Sequence, residues 1–233
     1  MIGVLIPAHN EQALIAHCLH AVLSASRHPQ LKAEPVRVLV VLDSCDDLSA
    51  DIAAQYDVDV LAINARNVGA ARGAGAQWLL ERGARWISCT DADSRVAEDW
   101  LVAQLALGKD AVCGTVTVDD WGNGIDEAAR SRYQAAYEAR DGHRHIHGAN
   151  LGFSAKAYRR AGGFQPLACH EDVHLVKQLE ACGASIAWSH RPQVITSARL
   201  DCRASGGFGD YLRSLLSVAE HDQHQAGSRP DAL

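Results

Sequence analysis

Two aspartates separated by a single alanine, Asp91 and Asp93, end the apolar run Trp86–Thr90. In an extended segment alternate side chains point the same way, so both carboxylates would face one point. Two hard oxygen ligands there suit a divalent cation, Mg²⁺ or Mn²⁺, that completes its shell with phosphate and water oxygens. The plainer reading makes the pair an Asx-type turn that caps a helix beginning near Val96. A second acidic pair, Glu171 and Asp172 in the run HED, opens another helical pattern, where acids complement the helix dipole. A carboxylate in that place can also take the proton of an attacking hydroxyl. The expectation is Asp172 as the base, with Glu171 orienting it or holding the acceptor.

Other polar runs also follow apolar ones. Pro7–Glu11 is either a strand-to-helix turn with Asn10 as N-cap, or a nucleotide pocket lined by Pro7, Ala8, His9, Asn10 and Glu11. Asp43 is either a cap or an acceptor for the ring N–H of uracil or guanine. The segment Asn67–Gly75 holds Gly69, Gly73 and Gly75 but matches neither G-x-G-x-x-G nor GxxxxGK[ST]. Its small residues either seat a helix closely on a sheet or bring a helix N-terminus to a diphosphate, with Arg72 adding charge. Near the end, Arg199 and Arg203 form a solvated basic face or reach the charge of a leaving diphosphate. His143, His145 and His147 alternate, but no cysteine, histidine or carboxylate spacing completes a zinc or iron site. They are expected in a mobile loop able to close over phosphates, since Arg140–Arg160 carries five Lys/Arg against one acid.

These runs need a scaffold that gathers them. Strands are expected over Ile2–Ile6, Val36–Leu42, Val58–Ile63, Trp86–Thr90 and Ala111–Val118. Helices are expected after Glu11, over Asp46–Gln55, after Asn67 and over Val96–Leu107. This alternation predicts a parallel sheet with right-handed crossovers. PAHNE, DSCDD, NARN and TDADS each follow a strand, so they share one rim of the sheet, where ligands of open α/β sheets bind. Beyond Val118 the pattern loosens. Helices are expected over Ile125–Arg140, Glu171–Cys182 and Gly209–Glu220, with short strands at Asn150–Ser154, Ser185–Trp188 and Gln193–Thr196. The chain is expected to form one domain, 1–220, with a nucleotide-binding half (1–118) and an acceptor and catalytic half (119–220). The tail 221–233 is expected to be disordered.

Composition narrows the class. A hydrophobic fraction of 48% suits a globular core, and a net charge of −6 argues against a nucleic-acid partner. No apolar run approaches the roughly 20 residues that cross a bilayer, although peripheral membrane contact stays open. The start Met1–Asn10 lacks the cationic region of a signal peptide. Seven cysteines without CxxC spacing read as reduced thiols of a cytoplasmic protein.

Together the runs VLIPAHNE, VVLDSCDDLSAD, NVGAARGAG, WISCTDADS, HGANLGFSAKAY, GGF and HED resemble family 2 glycosyltransferases of GT-A fold, in order and spacing, over about residues 2–190. The resemblance implies an α/β fold with a mostly parallel central sheet, a nucleotide-diphosphate sugar donor and a divalent metal at the DxD. It also implies transfer to an acceptor hydroxyl, usually with inversion. By the same resemblance Pro7, Ala8, Asn10 and Glu11 line the nucleotide pocket, Asp43 meets the base, and Arg72 lies near the donor with Asn67 and Gly69. Asp91 and Ala92 hold the ribose or sugar, Asp93 is the principal metal ligand, Gly148, Ala149 and Asn150 floor the sugar site, and Asp172 is the base. His9 stands where many members place Tyr or Phe, which leaves the base open. The acceptor is a small molecule, a glycan or a lipid-linked group. Two rivals are a nucleotidyltransferase, which would want a glycine-rich loop where PAHNE stands, and a nucleotide-binding protein of the same fold without activity.

Overall fold

A computed structural model describes residues 1–119, 121, 127, 130, 131, 137 and 139–197. Arg199, Arg203, the expected helix at Gly209–Glu220, the tail and most of Ile125–Arg140 lie outside the described residues. Among the described residues eight strands form one sheet: β1 (Ile2–Ala8), β2 (Val36–Asp43), β3 (Asp59–Ile63), β4 (Trp86–Cys89), β5 (Ser94–Val96), β6 (Ala111–Thr117), β7 (Leu151–Ser154) and β8 (Ile186–Thr196). Their spatial order is β3-β2-β1-β4-β7-β6-β8-β5.

The period of two along β1 and β2 builds both sides of the core. Ile2, Val4, Ile6, Val38, Val40 and Leu42 face one apolar layer, while Leu5, Leu39 and Val41 face the other. The first layer is closed by α1 (Ile15–Ser26) and α4 (Trp100–Ala106). Residues Ile15, Cys18, Leu19, Val22 and Ala25 of α1 are buried at helical spacing. The second layer is closed by α3 (Val68–Glu81), α5 (Ala155–Arg160) and α6 (Glu171–Ala181). A short helix, α2 (Ser49–Ala53), follows β2.

The parallel half is as expected, since β1 pairs in parallel with β2 and β4, and β2 with β3. The second half is not a continuation of it. β7 inserts antiparallel between β4 and β6, and β5 pairs antiparallel with β8. This insertion matters for the site: Cys89 at the end of β4 faces Leu151 at the start of β7. The start of β7 therefore lies on the same rim as the ends of the parallel strands. The two short strands expected at Ser185–Trp188 and Gln193–Thr196 are two parts of β8, whose register against β6 jumps from Ser189 to Gln193. Pro192 falls in that bulge, where no ladder N–H is needed.

Two helix expectations need correction. The helix expected from Val96 begins at Trp100, because Ser94–Val96 is taken by the sheet as β5. The helix expected over Asp46–Gln55 shortens to Ser49–Ala53, because the acids before it bond across to the loop after β1.

Asn150 is the polar centre of the second half. Its side chain is fully buried, with Oδ1 accepting from Trp100 Nε1 (2.9 Å) and Nδ2 donating to Thr115 O (2.7 Å) and Pro192 O (2.9 Å). Asn150→Leu would strip three buried groups of their partners, at about 1–3 kcal/mol each before relaxation. Urea unfolding should show a loss of about 3 kcal/mol or more, near the upper end for single substitutions.

Candidate functional site

The site is the rim where β1, β2, β3 and β4 end, joined by the residues that lead into β7 and by the start of α6. The loops after β1 and β2 are stitched together. Asn10, in left-handed backbone at φ 55°, bonds through Nδ2 to Asp46 Oδ1 (2.6 Å) and accepts through Oδ1 from Asp46 N (2.9 Å). Glu11 N donates to Ser49 Oγ (2.7 Å), and Gln12 N donates to Asp47 Oδ2 (2.9 Å). Asn10 is thus a cross-loop brace rather than the N-cap of α1, which is Leu14.

Asp43 is 4% exposed and already engaged. Its Oδ1 accepts from Ala65 N (2.7 Å) and Arg66 N (2.8 Å), and its Oδ2 from Asn67 N (2.7 Å). Burial pushes its pKa up, but these N–H groups outweigh that and hold it below the usual carboxylate range. The carboxylate shapes the loop after β3. Its capacity to meet a base is reduced to lone pairs that the loop leaves over. His9 Nδ1 lies 2.7 Å from Asp43 O, so Nδ1 carries the proton of that bond.

The glycine-rich segment departs from the expectation of a diphosphate cradle. Asn67 caps α3, its Oδ1 accepting from Ala70 N (2.8 Å), and its Nδ2 donates to Pro166 O (3.0 Å). A Cβ on Gly69 would stand 2.2 Å from Gln165 O, so this helix N-terminus packs on the chain's own 165–167 backbone. Gly75 lets α3 approach Leu5 and Val41 of the sheet. Close packing by small residues is the reading the structure supports at both places.

Arg72 lies inside. Its side chain is 3% exposed, with Nη2 2.5 Å from Asp91 Oδ1 and Nη1 2.9 Å from Glu171 Oε1. Burial works against its charge, but Asp91 and Glu171 hold its proton and raise its pKa. Burial raises the Glu171 carboxyl above its usual range against the pull of Arg72, with Asp172 and Asp91 adding to the rise.

Asp91–Ser94 is a tight turn closed by Ser94 N donating to Asp91 O (3.1 Å), not an extended segment. The two carboxylates are therefore presented by a turn, and their roles separate. Asp91 engages Arg72, while Asp93 Oδ1 lies 3.1 Å from Ser94 Oγ, which is 2.9 Å from Thr196 Oγ1 of β8. Ala92 between them is buried in the core. Among the described residues no group of three or more His, Cys, Asp or Glu is arranged to hold a metal. A cation on Asp93 and Asp91 would need phosphate and water oxygens for the rest of its shell, which is how Mg²⁺ is ordinarily bound.

Gly148–Asn150 form a 3₁₀ turn ahead of β7. Gly148 N donates to Asp172 Oδ2 (2.8 Å), and Val173 N to Asp172 Oδ1 (2.7 Å). HED is thereby tied to the rim. Gly148 and Ala149 are buried against it, but Asn150 points into the core and cannot floor a sugar site.

The histidines pack rather than form a loose loop. Tyr137 stacks on His145 with ring centroids 4.2 Å apart, and His145 stacks between His143 (5.5 Å) and His147 (6.1 Å). His147 is the residue that spacing alone undervalued, although its place one position before Gly148 was a signal. Val116 N donates to Tyr137 Oη (2.8 Å), which lies 3.0 Å from His147 Nε2. Burial pushes Tyr137 up to about 12, so the phenol keeps its proton and can direct it at Nε2. Burial, with His145 and His143 beside it, pushes His147 from 6.5 down to about 4, against the pull of Asp91. The unfolded chain takes up this proton as pH falls through 6.5, while the folded protein resists until about 4. Stability is therefore complete above about pH 6.5 and should fall by on the order of 2–3 kcal/mol toward pH 4. Urea titrations at pH 7 and pH 4.5 measure it, and His147→Gln should flatten the difference.

The sequence profile of glycosyl transferase family 2 matches residues 3–162. No curated protein sequence matches the chain. Among solved structures, Staphylococcus aureus TarS 1–349 in complex with UDP-GlcNAc superposes with a TM-score of 0.66 at 14% identity. The match covers 93% of this chain and 65% of that one. GalNAc-T7 with UDP, GalNAc and Mn²⁺ superposes at 0.65 and 15% identity, over 94% of this chain and 48% of the other. This chain thus spans less than two thirds of the length of either. The superpositions give the GT-A fold, and with the profile match over most of its length the chain belongs to glycosyl transferase family 2.

Proposed function

We propose that this protein transfers a sugar from a nucleotide diphosphate to an acceptor hydroxyl, with inversion and with a divalent cation. The observation that carries the reading is one connected cluster at the rim. Asp91 from the turn after β4 and Glu171 and Asp172 from α6 meet around one guanidinium, and Gly148 joins Asp172 to the start of β7.

The loops after β1 and β2, with Pro7, Ala8, His9, Asn10 and Glu11, form the nucleotide side, and the braces between Asn10 and Asp46 preorganise it. Asp93, with Asp91, would hold Mg²⁺ or Mn²⁺, which offsets diphosphate charge and makes it a better leaving group. The Mn²⁺ in the GalNAc-T7 structure supports a divalent cation, and the UDP of both neighbours supports a uridine diphosphate donor as the first to try. Asp172 accepts the proton of the acceptor hydroxyl as that oxygen attacks the anomeric carbon and the nucleotide diphosphate departs from the opposite face. Residues 119–220 supply this acceptor side within one domain. The six described cysteines are all unpaired, which supports a reducing, cytoplasmic setting. No helix among the described residues is long and apolar enough to cross a membrane.

The test is turnover of a panel of nucleotide sugars with Mg²⁺, Mn²⁺ or EDTA, alongside calorimetry with the nucleoside diphosphates. Metal-dependent hydrolysis or transfer is expected. Tight diphosphate binding with no turnover of any donor would make this a binding protein of the same fold.

A further inference from the structure

Arg72 takes no part in the chemistry proposed above, yet the two halves of the site meet on it. We propose that Arg72 is a positioning residue: one buried guanidinium that holds the donor-side carboxylate Asp91 and the acceptor-side pair Glu171 and Asp172 in register, without itself gripping the donor. This rests on the transferase reading.

The geometry excludes the simpler role of a donor ligand. Nη2 and Nη1 are turned to Asp91 (2.5 Å) and Glu171 (2.9 Å), and the side chain is 3% exposed. Gly148 covers the fork so closely that a Cβ there would fall 1.6 Å from Nη1. The same Gly148 donates its N–H to Asp172 Oδ2 (2.8 Å), so the cover of Arg72 and the support of the base are one residue. No diphosphate can reach the guanidinium without displacing that turn.

The choice of arginine also fits. Two carboxylates from distant parts of the chain need two nitrogens at a fixed separation that share one delocalised charge, which a lysine ammonium cannot offer. A buried ion cluster seldom adds net stability over apolar packing. This one is not tuned for stability, because Nη1 meets Glu171 as a charge without an aligned hydrogen bond and Nε has no hydrogen-bond partner among the described residues. What Arg72 supplies is placement, together with a positive charge among three carboxylates that would otherwise repel. The groups facing it are Asp91 and the Cys89 thiol from β4 and its turn, and Glu171 and Asp172 from α6. His147 in turn interacts electrostatically with Asp91.

The experiment uses the full chain and hydrolysis of whichever nucleotide sugar the parent turns over, with water as acceptor. Arg72→Lys should lower kcat about 10²-fold, the scale of a 1 Å misplacement, while KM for the donor stays within about twofold. If Arg72→Lys does not fold, Glu171→Gln decides. Its hydrolysis should slow at unchanged donor KM, whereas undiminished hydrolysis would mean that Glu171 serves only an acceptor and would overturn the proposal. A rise in donor KM with kcat preserved in Arg72→Lys would make it a donor ligand and overturn this inference alone. A parent that turns over no nucleotide sugar, by hydrolysis or by transfer, overturns the transferase reading and this inference with it.

Discussion

Asp172→Asn should slow sugar transfer about 10²- to 10⁴-fold, the range that a positioned general base contributes, while the nucleotide diphosphate binds as before. The geometry explains why this residue and not its neighbour. Glu171 is buried and committed to Arg72, so its carboxylate is occupied by a charge partner. Asp172 takes one backbone N–H on each oxygen, from Gly148 and from Val173. A carboxylate offers about four lone-pair sites, so each oxygen still has one to present to an incoming hydroxyl. The two N–H bonds fix the carboxylate's plane without consuming it. The substitution also has a structural cost, because an amide has one acceptor oxygen and its NH₂ would confront one of the two N–H groups. That lost bond is worth about 1–3 kcal/mol, so unfolding should shift modestly. Single-turnover transfer, calorimetry with nucleoside diphosphate and urea unfolding on the same preparations separate these effects. A variant that keeps kcat within about tenfold of the parent removes Asp172 from the base's role.

Much of this arrangement was legible in the chain, and the parts that were not share a cause. Continuous apolar runs such as Val38–Leu42 give buried parallel strands directly, and the polar runs after them give the rim. The reversal in the second half was hidden. The four residues of β7 look alike in either direction, and what sets them antiparallel is pairing with β4 and β6, far away in sequence. That reversal puts Gly148 on the rim.

Residue identities marked the site, but not which atoms remain available there. Asp43 and Asn67 read equally well as ligand groups or as braces, and only the positions of Ala65, Arg66, Asn67 and Ala70 N–H groups show them bracing the chain. Asn150 sits in the right run but points into the core, because Trp100, Thr115 and Pro192 offer it partners there. Arg72 was visible as a charge near the donor. That its charge is spent inside the protein follows from Glu171, a residue of another helix.

Asp93→Ala should abolish the effect of metal rather than merely weaken the enzyme. Asp91 is held by Arg72 and its backbone O accepts from Ser94 N, so it anchors the turn. Asp93 is placed at the next corner of that turn, with Ser94 Oγ at 3.1 Å and, behind it, Thr196 of β8. The brace from β8 fixes where an Asp93-bound cation would lie relative to the rest of the rim. Stabilisation of transition-state charge by such a cation amounts to several kcal/mol, which corresponds to a rate loss of about 10²-fold or more. The discriminating feature is non-additivity. The parent in EDTA should fall to the level of Asp93→Ala, and EDTA should do nothing further to the variant, because both remove one interaction. A second readout needs no turnover. Nucleoside diphosphate at about 100 times its Kd stabilises a native protein by about 2.7 kcal/mol, and Mn²⁺ should enlarge the accompanying Tm shift in the parent only. Should Asp93→Ala keep a metal-dependent rate or a metal-dependent Tm shift, the cation is held by other groups, and the turn Asp91–Ser94 serves the fold alone.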